Sequence, residues 1–130
     1  MDAGDTFAGV LSFQQFVLEG AQLKFKIGGS DHALPIGYLD NEVPSAGNAP
    51  VDVTAVVLAI LNPIDSKFYI RQAASGAGTS LLADMTFDIS SEDLGKIAII
   101  KIYDTDTAGY IMFDELRQYD DQGAQMPLRF

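Results

Sequence analysis

The sequence predicts an all-β chain: a single antiparallel β-sandwich or small barrel of about seven strands, with one short helical turn near Ser90–Gly95. Three observations predict it. Apolar residues repeat with a period of two in several short runs, turn-forming residues separate those runs, and one central run is β-branched and continuously apolar.

The alternation is clearest in two places. Leu23, Phe25 and Ile27 interleave with Gln22, Lys24 and Lys26, and Met85, Phe87 and Ile89 interleave with Asp84, Thr86 and Asp88. Each reads as a strand with one face buried. Val51–Leu61 starts by alternating and ends apolar throughout, as a strand covered on both faces does. Lys67–Gln72 and Lys96–Tyr103 supply two more strands, and Thr6–Phe16 and Tyr110–Tyr119 carry weaker patterns. Between them lie turn signals at Gly28–Asp31 and at Asn62–Asp65, where Pro63 fixes φ. Ala73–Ser80, built of small residues, reads as an exposed flexible loop. The longest irregular stretch, Asp40–Pro50, reads as a functional loop or an arm toward a partner. Ser90–Gly95 has a capping serine, early acids and a closing glycine, enough for a single turn.

The 130 residues suit one domain, 1–130, with an extended N-terminal segment at 1–6 and a C-terminal arm at 120–130. There is no cysteine, so disulfides, zinc–thiolate centres and thiol nucleophiles are excluded. Net charge is −10, and the eight basic residues form no stripe along the sequence, which argues against nucleic acid and against anionic membranes as partners. The acidic start lacks the basic and apolar regions of a secretory signal, and no apolar run is long enough to span a bilayer, so a cytoplasmic site of synthesis is expected.

No catalytic residues are expected. His32 is the only histidine; its neighbours Ser30 and Asp31 are adjacent in one turn, which is not triad geometry, and a solvated loop histidine is the expectation. The glycines at 28–29 and 76–78 have neither the lysine of a phosphate loop nor a strand–glycine–helix setting. Carboxylates are plentiful, but without tryptophan the usual stacking platform of a sugar site is missing.

One stretch has metal-ligand spacing. Asp104 and Asp106 occupy the first and third positions of a loop with Gly109 at the sixth, Ile111 at the eighth and Glu115 at the twelfth. Calcium takes six to eight oxygens, and a glycine at the sixth position lets the backbone wrap the ion. The stretch resembles an EF-hand loop, with Ala108 at the fifth position supplying no side-chain oxygen and a strand-like segment in front of it. Ile102–Asp106 is also similar to the third loop of C2-like sandwiches, and Gly29–Asp31 faintly to the first. The resemblance implies calcium as cofactor, held by Asp104, Asp106 and Glu115, in a C2-like or lectin-like binding module.

The leading expectation is different: a non-enzymatic structural protein that stabilises a larger assembly. In size, composition and architecture the chain resembles bacteriophage head decoration (cement) proteins and small tail proteins. That resemblance implies a virion component made in the host cytoplasm, a homo-oligomer with protein partners gripped by loops and arms. The expected interface anchors are Phe7, Phe13 and Phe16 near the N-terminus and Met126, Leu128 and Phe130 at the C-terminus.

Overall fold

The computed structural model describes residues 9–44, 48–105 and 109–129. They form nine strands: β1 (Gly9–Ser12), β2 (Phe16–Val17), β3 (Gln22–Gly29), β4 (Thr54–Asn62), β5 (Lys67–Ser75), β6 (Thr79–Asp88), β7 (Ile97–Asp104), β8 (Ile111–Tyr119) and β9 (Gln125–Met126). One sheet has the order β1-β7-β4-β5, with β2 continuing alongside β7; the other has the order β6-β3-β8-β9. Every pairing is antiparallel. The two strands beyond the expected seven, β2 and β9, are two residues long and carry too little pattern to be read from sequence. The turn at Ser90–Gly95 is a 3-10 turn over Ser91–Asp93, and a second covers Ile36–Tyr38.

The apolar period of two is used as expected. Leu23, Phe25 and Ile27 of β3, Val56, Leu58 and Ile60 of β4, and Ala98, Ile100 and Ile102 of β7 meet between the sheets, joined by Phe16, Leu18, Phe87 and Ile111. Phe25 packs edge-on to Phe87 with ring centroids 5.0 Å apart. The continuous apolar character of β4 has its own cause. Its alternate residues Ala55 and Val57 point to the other side of the sheet, where they join Val53, Ile70, Tyr103 and Leu34 in a second core.

That second core is roofed by the long connection between β3 and β4, through Tyr38, Leu39, Val43 and Ala49. The connection therefore does not project as an arm over its described part. Residues 40–43 run along the free side of β5: the Asp40 and Val43 amides donate to the Ile70 and Phe68 carbonyls, and the Ile70 amide donates to Asn41 O. The segment thus hides a sheet edge that would otherwise offer unpaired backbone groups.

Bulges set which side chains face inward. On β8, Ile111 and Phe113 pack inward, and so do Leu116 and Gln118; the parity changes between them. The register slips there, with Lys24 opposite Arg117 but Lys26 opposite Asp114. Glu115, in the slip, has φ +57°. A non-glycine residue in the left-handed region is the local cost of turning Gln118 into the core.

The stretch 73–80 differs from the expectation of a flexible exposed loop. β5 runs through Ser75 and β6 starts at Thr79, so only Gly76–Gly78 connects the sheets, and Gly76 is buried. The chain crosses there directly against β3, with the Gly78 amide bonded to Gly29 O at 2.9 Å.

Candidate functional site

Of the residues expected to hold calcium, the two that are described lie in different sheets. Asp104 ends β7, buried at 1 % exposure and paired in register with Thr54 and Gly9. Glu115 lies inside β8 in the other sheet, exposed, with its carboxylate 3.6 Å from Arg117. Asp106 lies outside the described residues. Because Ile111–Glu115 is extended strand, the second half of the twelve-position loop does not wrap toward Asp104 as an EF-hand loop would. Among the described residues no three or more His, Cys, Asp or Glu side chains gather in metal-binding geometry.

The expected anchors divide. Phe16 is 2 % exposed within the intersheet core and has no surface to offer, a correction that follows from its place beside β7. Phe13 is half-exposed and edge-on to Phe113 at 5.3 Å. Met126 lies in β9 against β8, and Leu128 packs on the core. The expected C-terminal arm is, as far as Arg129, bound to its own domain: the Val17 amide donates to Arg129 O, and the Arg129 guanidinium meets Glu19 at 2.9 Å. Phe7 and Phe130 lie outside the described residues.

Sequence reading missed the side chain that holds this end together. Gln118, fully buried, accepts from the Glu19 and Gly20 amides through Oε1 (2.7 and 2.9 Å) and donates from Nε2 to Pro127 O at 3.3 Å. It fastens the β2–β3 turn, β8 and the C-terminal segment to one another.

A further internal feature is open to test. Tyr103 is 1 % exposed, and its hydroxyl has no hydrogen-bond partner among the described residues. Burial, with Tyr38 adding to it, raises its pKa above the ordinary tyrosine value. A group whose pKa rises on folding stabilises the fold below its unfolded pKa and loses that contribution as pH climbs through the folded value. Tyr103→Phe removes an unsatisfied polar atom and is expected to stabilise the protein by about 1 kcal/mol at neutral pH. The gap over wild type should widen above about pH 10, where tyrosines begin to ionise. Urea melts at neutral and alkaline pH measure both; a variant less stable than wild type at neutral pH would contradict the assignment.

The surface feature that stands out is the outer margin of the second sheet. β6 is its terminal strand, ten residues long, bonded to β3 on one side. On the other side one end is closed, where the Gln72 side chain donates to Asp88 O at 2.6 Å. From there back to Thr79 no described main-chain group pairs with that side. Leu81 is 74 % and Leu82 44 % exposed. They sit at a register slip, with Ile27 opposite Ala83 and Gly29 opposite Thr79.

Beside this edge the outward face of the sheet is a set of polar rungs. Asp84, Lys26 and Asp114 form one, Thr86, Lys24 and Arg117 the next, and Asp88, Gln22 and Tyr119 the third. Lys26 binds Asp84 at 3.0 Å, which with Glu115 nearby raises the lysine pKa. Lys24 lies 5.1 Å from the Tyr119 ring centroid. The depression among them, about 390 Å³, is charged and paired rather than apolar. Its lining differs from the mostly apolar pocket of a small-molecule site.

His32 is exposed, as its loop position predicts. No helix among the described residues is long and apolar enough to cross a membrane. No family model, curated protein or solved structure matches the chain.

Proposed function

We propose that this chain is a non-enzymatic subunit of a larger protein assembly, joined to its neighbours by strand pairing along β6. The observation that carries the reading is the outer β6 edge, unpaired by main chain among the described residues, with Leu81 and Leu82 exposed upon it. The rest of the fold sharpens the contrast. Residues 40–43 cover the β5 edge at Phe68–Ile70, and the C-terminal segment is tied down through Arg129. A long edge left open amid such covering is a place where another chain adds main-chain hydrogen bonds and apolar contact.

The finer reading is a virion component, a capsid decoration or tail protein, in which many copies stabilise a particle. The acidic, cysteine-free composition supports it by favouring solubility before assembly and independence from the redox state of the compartment. Light scattering on the protein recovered from its natural producer tests the reading. The expected mass is several-fold above the 14.0 kDa of the chain, and Leu81→Lys/Leu82→Lys should return it to the single-chain value with the fold unchanged by circular dichroism. A wild-type protein recovered only as the single chain would overturn the proposal.

A further inference from the structure

We propose that the β6 edge between Ser80 and Phe87 takes an extended segment of a partner protein carrying lysine or arginine at alternate positions. The inference rests on the assembly reading and adds the chemistry of the partner.

Charge selects this occupant. Asp84 and Asp88 stand on one face of β6, opposite Lys26 and Gln22 of β3. Each inner partner engages a single oxygen, Oδ1 in both cases, and the Asp84 side chain is 87 % exposed. A strand added outside β6 places its side chains about 4.5–5.5 Å from those of β6, so a cation opposite Asp84 extends the rung from Lys26 outward through Asp84. The chain's net charge of −10 draws such a segment in.

The same charges weigh against a second copy. Two β6 strands paired antiparallel about Asp84 or Thr86 bring aspartate against aspartate, and each chain adds its own negative charge. A register centred on Met85 sets Asp84 against Thr86 and Asp88 against Leu82, so neither aspartate gains a cation. Bulges and charges are the usual means by which a strand edge refuses like partners. Leu81 and Leu82 set a second requirement: apolar residues near the end of the segment that lies beside them.

The test uses the full chain and ten-residue peptides in which valine alternates with lysine, or with glutamate. A third peptide repeats the lysine sequence with N-methylated backbone. Amide chemical shifts are followed by NMR. The lysine peptide is expected to move the signals of residues 80–87, to bind about tenfold more tightly than the glutamate peptide, and to weaken as salt rises. N-methylation should abolish binding, and Asp84→Lys/Asp88→Lys should reverse the preference between the two charged peptides. Shifts spread over other acidic surfaces, equal in wild type and the double variant, would overturn the proposal. So would concentration-dependent pairing of β6 with a second copy, or no binding. If the protein recovered from its producer is large while the peptides fail, the assembly reading stands and this inference falls; a single-chain mass in that measurement removes the reading itself.

Discussion

Gln118→Ala is expected to cost about 3 kcal/mol or more and to lower Tm by on the order of 10 °C. The side chain is fully buried and accepts from two backbone amides, Glu19 and Gly20, while its own amide reaches Pro127 O. Truncation leaves polar groups buried without partners, and each orphan costs about 1–3 kcal/mol. It also opens a cavity beside the core, which adds to the loss. Gln118→Leu separates the two contributions: it keeps the volume and loses the hydrogen bonds. Both variants should unfold at clearly lower urea concentration than wild type, with the C-terminal segment more open to proteolysis. A leucine variant as stable as wild type would show that packing, not hydrogen bonding, holds this end.

Gly76→Ala should be comparably damaging, by about 3 kcal/mol, for a steric reason. A Cβ at that position would lie 2.2 Å from Gly29 O and 2.6 Å from Gly29 C. The obstacle is backbone, so no rotamer relieves it; the crossing from β5 to β6 must move away from β3. Gly29 cannot easily yield, since its φ of +106° is itself a conformation that glycine alone adopts at low cost. Gly37→Ala is the control. Nothing lies within 4 Å of its added Cβ, and the change should be neutral or stabilising by about 0.5 kcal/mol. Equal stability of the two variants in thermal melts would mean that the sheets do not approach at Gly76 as described.

The strands were legible where one face is wet and the other buried, as in Leu23–Ile27 and Met85–Ile89, because such positions write their environment directly into side-chain polarity. Val51–Leu61 was legible as doubly covered, yet its second cover was not: the roof over Ala55 and Val57 is a loop of mixed composition, read from sequence as a functional loop or an arm. Gly76 was read as flexible because small residues in a row look like a loop, whereas here small size serves close approach. Gln118 was hidden by the Glu115 bulge, which changes the inward parity of β8 midway. The only trace in the sequence is the adjacent pair Asp114–Glu115, which breaks the alternation. The open edge was not legible at all. An edge strand and a central strand carry similar alternation, and only the pairing partners tell them apart.

The central claim is that β6 is open in the isolated chain and closed in the assembly. Amide hydrogen exchange reads this directly, because an amide paired between strands exchanges only when the structure opens. In the isolated chain, outward-turned amides between Ser80 and Phe87 are expected to exchange rapidly, while those of β4 and β7 stay protected. In the protein recovered in its natural assembly, the same β6 amides should be slowed at least about tenfold. Unchanged rapid exchange along β6 in an intact assembly would contradict the claim and place the contacts on another surface.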